Sequence, residues 1–238
     1  MVGHVPVPHS ASREIQRLIL SDEVNVGDKL PSQRVLSKQF SISRASLREA
    51  LLTLETLGFI RTEPGRGTFV SSKNPTHTGE ISNWRYGTDS TVHEVYQSRL
   101  YLETLIVNLA ASTCTTEDLE LLTTATTGME EAWEKQDLIA VTSHDFDFHQ
   151  TIVAACRNRN LKQWYDSMKA QIMEAQRRPT PVTRPSRFKE SMDEHREIIA
   201  ALRIRDGSKA ASIMQRHIIK TAKGIDIELV KLPNCSSS

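Results

Sequence analysis

A chain of 238 residues has room for one large domain or two ordinary ones, and 38% apolar with 25% charged content describes a folded globular protein. The net charge of +1 advertises no polyanion partner for the whole chain, but residues 1–75 hold 10 Lys and Arg against 7 Asp and Glu, leaving 20 against 22 beyond. Cys114, Cys156 and Cys235 are odd in number, far apart and without a CxxC pair, so they support neither a disulfide framework nor a thiolate zinc site. With no basic-then-apolar leader in MVGHVPVPHS and no run near the roughly 18 apolar residues of a membrane helix, the expected setting is the cytoplasm, with no membrane partner.

Residues 1–9 read as a flexible N-terminus. Ser10 or Ser12 is placed to cap a first helix whose stripe is Ile15, Leu18 and Ile19. After a turn at 24–30, Ser32 caps a second helix running to about Phe40. Ser43 caps a third, with Leu47, Ala50, Leu51, Leu54 and Leu57 repeating at three and four. Helices joined so tightly cross steeply, which is the helix-turn-helix arrangement, with its second helix in the DNA major groove. Arg44 and Arg48 leave one face of that helix, and an Arg fork matches the O6 and N7 of guanine. Gly58 ends the helix. Phe59–Arg61, the turn at residues 63–67 and Thr68–Val70 then read as a two-stranded wing with a basic tip. The predicted winged helix-turn-helix covers residues 10–71, and the polar stretch 72–88 reads as a linker.

Residues 89–230 carry helical periodicity only, over about 90–112, 116–136, 138–156, 160–177, 185–205 and 207–230. The fold class is therefore mainly α: three helices with a two-stranded wing, then an all-α bundle of about six helices, then a disordered tail at 231–238. Asp145 and His149 are four apart and project from one side of their helix, while His195 and His217 sit singly in the last two helices. One carboxylate and three imidazoles suit Zn, Ni or Mn better than Ca or Mg, and helix bundles build such sites in their cores. Spacing alone leaves open the plainer reading of hydrogen-bonded or surface histidines. His4, His9, His77, His93 and His144 are assigned to the surface. Phe146, Phe148, Trp164, Met168, Met173 and Met192 are either pocket lining or plain core.

Leu30-Pro31-Ser32-x-Arg34-x-Leu36, Ser43-Arg44 with Arg48-Glu49-Ala50-Leu51, and Gly65-Arg66-Gly67-Thr68-Phe69-Val70 resemble the winged-helix domain of GntR-type bacterial transcription regulators. The resemblance implies double-stranded DNA as partner, with contacts from Arg34, Ser43, Arg44, Ser46 and Arg48, and from Gly65 and Arg66 at a wing tip entering the minor groove. Gln33 stands where that family usually has Glu, and Ser41 where Gly often closes a helix. Arg99-x-x-x-Glu103, Asp145-x-x-Phe148-His149, Asn158-x-x-Leu161, Glu194-His195-x-x-Ile198 and Met214-x-x-His217-Ile218 resemble the FCD effector domain of the FadR subfamily.

That second resemblance implies a divalent metal, Zn first with Ni or Mn as alternatives, held by Asp145, His149, His195 and His217. A small carboxylate-bearing effector would complete its coordination. Arg99 is a candidate grip for the effector carboxylate and, equally, a partner for Glu103 on its own helix face. Four protein ligands describe a regulatory or closed site, and no catalytic motif accompanies them, so no enzyme activity is expected. The expected protein is a homodimeric repressor on an inverted-repeat operator, with a metal sensor as the alternative, because one recognition helix reads too few base pairs.

Overall fold

The computed structural model describes residues 7–75, 84 and 86–230, which fall into two compact units divided between residues 83 and 84. The first unit opens with helix α1, Val7–Leu20. It begins earlier than the sequence suggested: residues 7–9 are helical, Ser10 and Ser12 lie inside the helix, and buried Ser12 donates to the Ala50 carbonyl at 3.4 Å. Helix α2, Gln33–Gln39, and helix α3, Arg44–Thr56, are capped by Ser32 and Ser43 as expected, each side chain accepting the backbone N–H three residues on. The turn between them passes through Ser41 at φ +53°, the left-handed region where glycine sits at least cost. Ile15, Ile19, Leu36, Leu47, Leu54 and Leu57 are buried at 3% exposure or less and form this unit's core.

Helix α3 is capped at Leu57. Gly58 at φ +80° then turns the chain so that the Phe59 N–H reaches back to the Leu54 carbonyl at 2.9 Å. Strand β1, Ile60–Glu63, pairs antiparallel with β2, Gly67–Val70, placing Ile60 opposite Val70 and Glu63 opposite Gly67. Pro64 and Gly65, the latter at φ +73°, supply the middle of the turn that the Arg66 N–H closes onto the Glu63 carbonyl at 3.0 Å. Residues 27–30 bond the outer edge of β2 through Gly27, Asp28 and Leu30, so that edge is not left open.

In the second unit the described residues form seven α-helices, against the six expected: α4 Val92–Thr113, α5 Thr116–Glu134, α6 Leu138–Ala155, α7 Arg159–Ser167, α8 Lys169–Arg177, α9 Pro185–Arg203 and α10 Gly207–Lys223. The extra helix comes from a break at Met168, whose N–H bonds the Tyr165 carbonyl three residues back at 3.1 Å, while the Ile172 N–H starts a new ladder on Met168. Neither Gly nor Pro marks this break, so apolar periodicity runs across it. Thr91 with Glu94 and Thr115 with Asp118 form reciprocal capping boxes, and Asp137, Asn158 and Asp206 cap α6, α7 and α10. Helix α10 stops at Lys223 and not near 230. Residues 224–230 continue without helix beside α4, where Gln97 both donates to the Val230 carbonyl and accepts its N–H.

Helix α4 runs through the interior against α6, α8, α9 and α10, and α5 covers α6 and α9. Trp84, within the proposed linker, is buried in this core and meets Tyr86 edge-on at 5.2 Å, so the linker reading is too long at its C-terminal end. Residues 1–6, the middle of the proposed linker at 76–83 and the proposed tail at 231–238 lie outside the described residues. So do His4 and His77, as does the His9 side chain. His93 is exposed, whereas His144 is half-buried, its ring filling the space above Gly128. Trp164 is 62% exposed and Phe148 fully buried, so the proposed pocket residues do not act as one group.

Candidate DNA-binding face and metal centre

Arg34 on α2 and Arg44 and Arg48 on α3 are exposed, and none of the three makes an ion pair among the described residues. At the first turn of α3 the Ser43 hydroxyl accepts from the Ser46 N–H at 3.0 Å and lies 2.9 Å from the Ser46 hydroxyl. A helix N-terminus of this kind attracts phosphate, while guanidinium forks suit base edges. At the wing, Gly65 and Arg66 are exposed. Arg66 pairs with Glu63, and the guanidinium carbons of Arg61 and Arg66 lie 5.3 and 5.8 Å from the centre of the Phe69 ring.

The second centre is buried. Asp145 and His149 from α6, His195 from α9 and His217 from α10 each offer a ligand atom, and these atoms lie within 4.8 Å of one another. The three histidines are 3% exposed or less. Asp145 Oδ1 lies 3.9 Å from His149 Nε2 and 3.8 Å from His195 Nε2. Opposite ligands at ~2.1 Å from one ion stand ~4.2 Å apart, so the group has the span of a single metal site.

Both ring nitrogens of His195 are buried without a hydrogen bond among the described residues, a costly state that donating one ring nitrogen's lone pair to a metal ion would relieve in part. Burial holds His195 well below the usual histidine range, with His217 and His149 adding to it; burial also lowers His217, against the raising effect of Glu194. Neutral imidazole is the form that binds a metal.

Around these four groups stands a layer of partners, of which the motifs had named Arg99, Glu103 and Glu194 without placing the two carboxylates against the histidines, and had not named Gln176. Gln176 Nε2 donates to Asp145 Oδ2 at 2.9 Å, and Glu194 Oε2 accepts from His217 Nδ1 at 3.1 Å. Glu103 Oε2 lies 2.6 Å from His149 Nδ1, off the ring's N–H axis, while its other oxygen takes the Arg99 Nε–H at 2.7 Å. Burial pushes the Glu103 carboxyl up, but Arg99 and His149 outweigh it and leave it at about 2. Glu194 likewise comes to about 2, burial being outweighed by His217 and Arg187. Arg99 is thus brought to Glu103, and among the described residues its guanidinium makes no second hydrogen bond. One signal was available: Arg99 and Glu103 fall on the same stripe of α4 as Tyr96, Ile106 and Ala110, so their charges point inward.

A winged helix-turn-helix joined to a helical bundle with a buried polar centre defines a ligand-responsive DNA-binding protein. Residues 9–70 match the model described as bacterial regulatory proteins of the gntR family, and residues 94–220 match the FCD domain. The chain belongs to the GntR family of transcription regulators and carries an FCD effector-binding domain.

It is 26% identical over 205 residues to the HTH-type transcriptional regulator LutR of Bacillus subtilis (strain 168), covering 84% of this chain and 93% of that one. Over 160 residues it is 31% identical to the Glc operon transcriptional activator of Escherichia coli (strain K12), covering 66% and 63%. Among solved structures, a GntR transcriptional regulator from Rhodococcus sp. RHA1 superposes with a TM-score of 0.54 at 17% identity, covering 93% of this chain and 98% of that one, and shows the shared fold. These relatives are regulators, and the chain is not an enzyme. No helix among the described residues is long and apolar enough to cross a membrane.

Proposed function

We propose that this regulator works as a cytoplasmic homodimeric repressor on an inverted-repeat operator, released by a small organic acid bound at a metal in the FCD domain. One observation carries the reading: four groups of ligand type, from three helices, meet within 4.8 Å in the interior. Asp145, His149, His195 and His217 would hold the ion, Zn before Ni or Mn, which when bound supplies a Lewis-acidic centre for an effector carboxylate. Arg99, with guanidinium donors left over from Glu103, is the chain's own group for a second effector oxygen. On the DNA side, Arg44, Arg48 and Arg34 read and position, Ser43 and Ser46 meet phosphate at the start of α3, and Gly65 lets the wing tip with Arg66 approach the minor groove. Effector binding shifts the dimer between geometries by its differential affinity for them.

The test is metal content of the purified protein together with a thermal-shift screen of small organic acids on wild type and His149→Ala. Stoichiometric metal and an acid-specific shift in wild type, both lost in the variant, are expected. An acid response untouched by the variant would refute the site. DNA affinity that follows free metal concentration with no acid present would replace the organic effector by the metal itself.

A further inference from the structure

Resting on the metal reading above, we propose that Glu103 and Glu194 are positioning residues that set which nitrogen of His149 and His217 faces the metal. An ionised carboxylate only accepts hydrogen bonds, so a histidine held against one carries its proton on the facing nitrogen and keeps its lone pair on the other. Glu194 Oε2 takes the Nδ1 side of His217 at 3.1 Å, and Glu103 Oε2 lies 2.6 Å from the Nδ1 side of His149. In both rings this leaves Nε2 as the donor to the metal, the same atom that in His149 faces Asp145 Oδ1 at 3.9 Å. His195 is held differently, stacked on Phe148 with ring centres 4.1 Å apart and planes 14° apart, and no carboxylate lies against its Nδ1 among the described residues.

Each positioning carboxylate is itself pinned. Arg99 Nε donates to Glu103 Oε1 at 2.7 Å, and Arg187 Nη2 donates to Glu194 Oε2 at 3.0 Å and to Thr221 Oγ1 at 3.3 Å. Lys220 Nζ and Arg216 Nε face the other Glu194 oxygen at 3.3 and 3.6 Å. Two relays result: Arg187 to Glu194 to His217 is hydrogen-bonded throughout, and Arg99 to Glu103 to His149 ends in a close carboxylate–imidazole contact that lies off the ring's N–H axis. Glu103 and Glu194 are both buried, at 2% and 3% exposure. This gives the Arg99–Glu103 pair a task beyond joining two residues of one helix.

Zinc alone, titrated into the full chain against a chromophoric chelator, tests the assignment. Glu103→Ala and Glu194→Ala are expected to weaken zinc binding by roughly 10- to 100-fold, with Glu194→Gln, which keeps an acceptor oxygen, recovering part of the loss. Nitrogen-15 spectra of the metal-free protein should show His149 and His217 protonated at Nδ1, with an Nε2–H population appearing for His217 in Glu194→Ala. Asp118→Asn, remote from the site, should lower stability without moving zinc affinity, separating positioning from general weakening. Unchanged affinity and tautomers in the Glu variants of a zinc-binding protein would overturn the inference and leave the metal site standing. A wild-type chain that takes up no zinc would bring down the metal reading itself. If Glu194→Ala does not fold, Glu194→Gln decides by its own affinity and tautomer.

Discussion

Replacing Arg44 by Ala isolates the readout step, because Arg44 is exposed on the first turn of α3 and makes no ion pair among the described residues. Nothing intramolecular is lost, so folding stability should move by less than about 0.5 kcal/mol. The whole effect then falls on binding. A bidentate contact to guanine carries roughly 1–3 kcal/mol of discrimination, or about 5- to 150-fold per half-site, and a two-fold operator meets two such residues. Arg66 makes a useful contrast: it must give up its Glu63 partner to reach DNA, so Arg66→Ala should lose less. Fluorescence anisotropy on a selected cognate site and on random duplex, at fixed salt, gives the comparison. Loss on the cognate site alone supports base readout, whereas equal losses on both sequences would refute it and leave Arg44 a phosphate contact.

Ser41 at φ +53° pays for its left-handed backbone, so Ser41→Gly should raise the stability of the winged unit by about 0.5–1 kcal/mol in a urea melt. Leu54 is completely buried, and Leu54→Ala should cost roughly 2–5 kcal/mol and abolish DNA binding at temperatures the wild type survives. Asp118 lies below the usual carboxylate range: burial raises it, but bonds from Thr115 and the Arg157 charge outweigh that. Its stabilisation is therefore complete above its unfolded value of 3.8 and lost as pH falls through the lower folded value. Asp118→Asn should lower neutral-pH stability by about 0.5–1.5 kcal/mol and flatten the acid limb of a stability–pH curve.

Local rules carried the winged unit almost whole. Ser32 and Ser43 cap where a short polar side chain before an apolar period must cap, Gly58 turns the chain, and Pro64-Gly65 closes the wing, because each device acts within a few residues of itself. The same locality explains the errors. The break at Met168 is made by a carbonyl three residues back, with no residue type to announce it, and the stop of α10 at Lys223 gives way to an unpatterned segment along α4. At the buried centre, helical spacing put Asp145 beside His149, donor type and mid-helix position added His195 and His217 as candidates, and the resemblance joined the four into one ligand set. What brings the four within 4.8 Å is the packing of α6, α9 and α10 with α4. Glu103 reaches His149 across 46 residues and Glu194 reaches His217 across 23, contacts that no local period encodes. The sequence by itself determined most caps, the wing and the chemical type of each donor, since those are short-range steric and hydrogen-bonding choices. Which carboxylate faces which imidazole was decided only by the tertiary structure, because burying those groups together depends on how the helices pack.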